Sequence, residues 1–150
     1  MVGRRRRFAL ADTVQQIVGG FLLAGPFVVT EEVWVLAQSM APIQVLLTVV
    51  IVLAIGYGAL YKADDRNPDR ESEVGGVPLR FISLIAVSYF SVIVLAIAFD
   101  APGTFLEPSG VEAGSSLGEV DLAVVGATLK AISIGAVFSV IGAATADSLY

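Results

Sequence analysis

Cysteine and histidine are both absent from the chain of 150 residues. Their absence removes thiol nucleophiles, disulfides, imidazole bases and the usual ligands of zinc, copper, haem and iron–sulfur clusters. Charge is also scarce: 15% of the residues are charged against 56% apolar, and the mean hydropathy is +0.83. So little polar surface cannot coat a soluble globule of this size, and the bilayer is the solvent this composition suits. The chain has no P-loop and no zinc signature, so no enzyme, no cofactor and no metal site is expected. The expected partner is a lipid bilayer, with no role for nucleic acid.

Four apolar stretches are present, over residues 8–30, 42–61, 81–99 and 122–146. Each approaches the ~20 residues that a ~30 Å hydrocarbon core requires. Backbone crossing lipid must satisfy its own hydrogen bonds, and unbroken runs of this length do so as helices. The expectation is an all-α polytopic membrane helix bundle of four transmembrane helices, forming one membrane domain over residues 1–150. Of the nine basic residues, Arg4, Arg5, Arg6 and Arg7 precede the first span, and Lys62, Arg66, Arg70 and Arg80 lie between the second and third. Residues 100–121 carry Asp100, Glu107, Glu112, Glu119 and Asp121 with no Lys or Arg. The positive-inside rule then puts both termini and the 62–80 loop in the cytoplasm, as a multi-pass protein of the cell membrane. Tyr57 and Tyr61 fall at the inner interface, Trp34 and Phe105 near the outer one. The net charge of −5 and pI near 4.5 suggest a salt-loving source. Arg5-Arg6-Arg7-Phe8 loosely resembles a twin-arginine export signal, but no small-x-small cleavage site follows, so the run reads as a retained anchor.

The densest group of unusual residues is 19–34. Pro26 removes a helical hydrogen bond and is expected to kink the first span. Gly20 and Ala24 form a small-xxx-small pair that admits another helix closely. Continued as a helix, the chain puts Glu31 near the same face as Gly20, Ala24 and Phe27, with Glu32 rotated about 100° away. Alternatively, both glutamates cap the helix among outer headgroups and Trp34 anchors it. Gly19, Gly20, Pro26, Thr30, Glu32, Val33 and Trp34 together resemble a family of uncharacterised prokaryotic integral membrane proteins. The resemblance implies a membrane location and no established activity. Members can be longer than this chain, which implies that a short form needs copies of itself to complete a unit.

In the fourth span Lys130 lies about 12 Å below the outer boundary at 1.5 Å per residue. A cation there costs at least ~2.5–3.5 kcal/mol unless it snorkels or pairs, and Glu31, Glu32 and Asp121 are its candidate partners. Ala131, Gly135, Ser139, Gly142, Ala143 and Ala146 form a stripe of small residues suited to helix packing. Ser88, Ser91, Gln44 and Thr48 read as hydrogen-bonding glue between helices. An offset of 115 residues aligns Thr13 with Thr128, Ile17 with Ile132, Gly20 with Gly135 and Glu32 with Asp147, a weak pattern of the inverted-repeat type. Asp65-x-Asn67-x-Asp69 imitates half of a calcium loop, but Arg70 and Gly76 stand where Gly and Glu are needed, so it reads as solvated loop. Adjacent Glu31 and Glu32 do not face each other on a helix and are poorly arranged for acid–base chemistry. The functional expectation is an oligomeric channel or transporter for ions or a small solute, with Glu31, Glu32 and Lys130 in its polar pathway. The alternative is a non-transporting membrane scaffold or accessory subunit.

Overall fold

A computed structural model describes residues 10–63, 73–106 and 122–148 of the chain. The arginines at 4–7, the Asp65-x-Asn67-x-Asp69 motif, and Glu107, Glu112, Glu119 and Asp121 lie outside the described residues. The elements are α1 (Leu10–Val28), α2 (Glu31–Ser39), α3 (Pro42–Tyr57) running on as a π-helical turn (Gly58–Ala63), β1 (Glu73–Val74), β2 (Val77–Pro78), α4 (Leu79–Ala98), α5 (Ala101–Leu106) and α6 (Leu122–Ser148). Three helical segments are long and apolar enough to cross a membrane: Pro42–Tyr61, Leu79–Ala98 and Val124–Ser148. A fourth crossing is made if α1 and α2 count as one broken span, bent by 80° at the break. An all-α membrane bundle is thus present, with one span that is not a straight rod.

The kink expected at Pro26 in the first span of 8–30 is instead a sharp break between α1 and α2. Pro26 stays inside α1, and the sharp turn follows at residues 28–31. Two side chains satisfy carbonyls exposed there. Thr30 Oγ1 donates to the Pro26 carbonyl, and Trp34 Nε1 donates to the Val28 carbonyl at 2.9 Å. In lipid an unsatisfied carbonyl is expensive, so these two bonds are what make the elbow admissible. Trp34 is 1% exposed and stacks on Phe105 of α5 with ring centroids 6.1 Å apart. Rather than anchoring in headgroups, it ties α2 and α5 together. Asp100, between α4 and α5, has φ of 48° and is the only described non-glycine residue in the left-handed region. Pro102 then sits in the first turn of α5, where its missing N–H costs nothing.

Helix α3 starts with Pro42 in its first turn, and the Gln44 side chain reaches back to accept from the Ala41 amide at 2.6 Å. Between α3 and α4, Gly75 and Gly76 form the turn of a two-stranded hairpin pairing Glu73 with Pro78 and Val74 with Val77. Their φ values of 60° and 83° are those a two-residue hairpin turn demands. The hairpin delivers Pro78 as the residue before α4, setting where that helix begins.

The interior is a bundle of α1, α4 and α6, with α3 laid against α6 and α4. α1 and α4 begin at the end of the bundle where α6 finishes, here the near end. One apolar cluster fills the far half, from Ala24, Trp34, Ala96, Ala131 and their neighbours. A second, around Val52, Leu60, Leu84 and Val140, fills the near half beside α3. α3 itself keeps Ile43, Leu46, Leu47, Val50 and Ile51 exposed. That outward apolar face suits lipid or another membrane helix.

Candidate functional site

The near end holds a cluster of buried charge. Arg80 stands in the first turn of α4, Asp12 in the first turn of α1 and Asp147 in the last turn of α6. Arg80 donates to Asp147 Oδ1 at 2.6 Å and to Asp12 Oδ2 at 3.3 Å, one guanidinium nitrogen to each. Arg80 is 4% exposed, Asp147 fully buried and Asp12 22% exposed. Because α6 runs antiparallel to α4, a cation at the start of α4 and an anion at the end of α6 each oppose their own helix dipole. That penalty is about 0.3–1 kcal/mol each. Stranding one partner of a buried pair costs about 3–5 kcal/mol, so mutual pairing dominates.

From this cluster a strip of polar groups leads inward along the seam of α1, α4 and α6. Gln16 is fully buried; its Oε1 accepts from Ser83 Oγ at 2.7 Å, and its Nε2 reaches the Arg80 carbonyl at 3.5 Å. Farther in, Ser88 Oγ turns back to the Leu84 carbonyl. Near the middle of the three helices, Ser139 Oγ donates to the Gly20 carbonyl at 3.2 Å, and Ser91 lies beside them, fully buried. Beyond that level the seam is apolar: Gly135 meets Val92, and the far cluster closes over it.

Small residues make this seam possible. Gly19 and Gly142 cross so closely that a Cβ on either would overlap the carbonyl of the other. A Cβ on Gly20 would come within 3.0 Å of both Ser91 Oγ and Ser139 Oγ. Ala24 is fully buried in the far cluster. The stripe of α6 therefore faces α1 and α4 within one chain, with Gly142 on Gly19, Ser139 on Gly20 and Gly135 on Val92. Thr48 of α3 and Ser133 of α6 share a hydrogen bond between helices, whereas Gln44 caps α3.

The charged residues singled out from sequence are not brought together. Glu31 and Glu32 are exposed on α2, because the 80° bend carries the chain off the face shared by Gly20 and Ala24. Lys130 is half-buried on α6, and among the described residues no ion pair joins it to Glu31 or Glu32. Pairing with Glu31 or Glu32 is absent because it was placed by carrying the helical register of α1 through Thr30, and the third candidate, Asp121, lies outside the described residues. Glu31 and Glu32 instead border an open surface groove with Val35, Leu36 and Ser39. The groups that do converge had a signal in the sequence. Asp12 and Gln16 stand one turn apart inside an apolar run, and Arg80 immediately precedes another. Polar groups at such positions are expensive in lipid and call for partners.

Comparison with curated proteins and with solved structures returned no match. Residues 3–100 match the model of a family described as "Putative integral membrane protein (DUF2391)". The match runs from ahead of α1 to just past α4 and so includes Asp12 and Arg80, while Asp147 lies on α6 outside it. Taken with the apolar helices, this match places the chain in that family as a multi-pass integral membrane protein.

Proposed function

We propose that this protein moves a small ion or solute across its membrane, and that its working site is the Asp12–Arg80–Asp147 cluster with the polar strip behind it. The observation that carries the reading is the strip's one-sided course. Buried Gln16, Ser91 and Ser139, with half-buried Ser83, extend from the near end to mid-bundle and stop under an apolar plug. A polar half-path sealed at its other end is the resting form expected of a site that opens to one side at a time. Ionisable groups buried inside a membrane helix bundle are costly and mark ion or substrate paths. Both termini and the 62–80 loop are assigned to the cytoplasm from the basic residues, which puts the cluster on the cytoplasmic side. The exposed face of α3 is assigned to contact with lipid or with a second copy. No chemical conversion of the cargo is assigned.

The test is flux through purified protein in vesicles, read with dyes for protons, alkali cations and small anions. Wild-type protein should raise the flux of at least one of these over empty vesicles. Arg80→Gln combined with Asp147→Asn, which removes the charges at nearly constant volume, should reduce it at least tenfold. One observation favours the second reading, a scaffold or accessory subunit: Arg80 and Asp147 are tightly paired and could act only as a lock between α4 and α6. Wild-type vesicles that pass none of the three probes would remove the transport reading and leave the scaffold.

A further inference from the structure

Ser91 behaves unlike most of the described Ser and Thr hydroxyls of this bundle. Inside a helix, a Ser or Thr hydroxyl ordinarily bonds back to the carbonyl one turn earlier. Ser88 does so to Leu84, Thr128 to Val124, Thr145 to Ile141 and Ser148 to Ala144. Ser83 and Ser139 instead find partners on α1. The Ser91 hydroxyl does neither: it is fully buried, has no hydrogen-bond partner among the described residues, as is also true of the Tyr89 hydroxyl, and faces Gly20 across the seam. An orphaned hydroxyl in a dry interior is costly, and such a group in a native structure calls for an explanation such as a bound water or ion.

The surroundings specify the guest. Ser91 Oγ and Ser139 Oγ both face Gly20 where α1, α4 and α6 meet, Ser139 Oγ also bonds the Gly20 carbonyl, and Gly20 contributes no Cβ to fill the space beside the two hydroxyls. The Ser139 hydroxyl and Gly20 carbonyl are 3.2 Å apart, a spacing that two oxygens on one small cation also adopt. All three ligands are neutral oxygens, which suit a hard ion, and the absence of a carboxylate among them disfavours a divalent one. Mid-bundle is also where coupling ions sit when a protein alternates between faces.

We infer that Ser91 Oγ, Ser139 Oγ and the Gly20 carbonyl form a binding site for a monovalent hard cation of sodium size at the inner end of the polar strip. The inference rests on the transport reading for what the ion does there, and on the three oxygens for the binding itself. The Ser139 proton, now donated to Gly20, turns aside when the cation takes both oxygens. Gln16 and the aspartates mark the way in from the near end.

The experiment measures thermal unfolding of the purified full chain in detergent, in sodium chloride against choline chloride at equal ionic strength. A ligand that binds only the folded state raises the midpoint with concentration. Sodium should raise the midpoint by several degrees in a saturable manner, and potassium should do less. Ser91→Ala and, separately, Ser91→Cys should abolish the sodium effect while leaving the midpoint in choline unchanged or higher, because an unsatisfied hydroxyl has been removed or replaced by a softer group. Thr145→Val, which alters an exposed hydroxyl elsewhere on α6, should keep the full effect. An equal midpoint for wild type in the two salts would overturn the inference, as would a sodium effect that survives in both Ser91 variants. A sodium effect without flux in vesicles would retain the site and remove the transport reading. Flux of another ion with no sodium effect would do the reverse.

Discussion

Arg80 is the residue on which the near end depends. It has no aqueous shell to retreat to, and its described ion-pair partners come from two other helices. Arg80→Met should therefore destabilise the protein, and so should Asp147→Asn, while the double variant should lose much less than the sum. Unfolding in mixed detergent micelles, analysed as a double-mutant cycle, should give a coupling on the order of 1–3 kcal/mol for groups in direct contact. Additive losses would show that the pair contributes nothing beyond its separate members. Lys130 supplies the contrast, because Glu31 and Glu32 lie exposed on the turned-away α2. Lys130→Met and Glu31→Gln should add to within about 0.5 kcal/mol, as independent sites do. A larger coupling would mean that the two charges meet after all.

At the scale of elements, the crossing of α1 with α6 and the elbow between α1 and α2 make separate demands. Gly142→Ala should collapse the folded yield or thermal stability, since a single methyl would overlap the Gly19 carbonyl and backbone cannot give way as a side chain can. Gly25→Ala, on the same α1 but with nothing within 4 Å of its Cβ position, should be neutral or stabilising. Equal damage from both would mean that helix contact is not what glycine provides there. At the elbow, Trp34→Phe retains most of the apolar body and the stack on Phe105 but removes the bond to the Val28 carbonyl. A loss of about 0.5–1.5 kcal/mol is expected for that bond, read in the same micelle assay. No loss would assign the elbow to Pro26 and Thr30 alone.

For the whole molecule, four crossings require the 62–80 loop and the 107–121 segment to face opposite sides. Single cysteines placed at Ser72 and Ser115 should react with an impermeant maleimide from opposite sides of intact cells, Ser72→Cys only after the cytoplasm is opened. The motive is that eight of the nine basic residues lie in the N-terminal segment and the 62–80 loop, with no Lys or Arg in residues 100–121. Labelling of both from one side would rule out the four-crossing arrangement.

Composition and run length were sufficient to read this chain as an all-α membrane protein with apolar segments at 42–61, 81–99 and 122–146, because the bilayer imposes a length and a hydrogen-bonding rule that any segment must meet by itself. The 19–34 motif was likewise enough for the family resemblance. Which polar groups meet was decided only in three dimensions. A helical wheel carries Glu31 forward in register with Gly20, but a proline and two side-chain bonds to freed carbonyls turn the chain by 80° and cancel that register. Arg80, Asp12 and Asp147 are separated by 67 and 68 positions along the chain, and no local pattern links them. They come together because α1, α4 and α6 pack at close range through glycine and serine, and that packing brings the three charges within pairing distance.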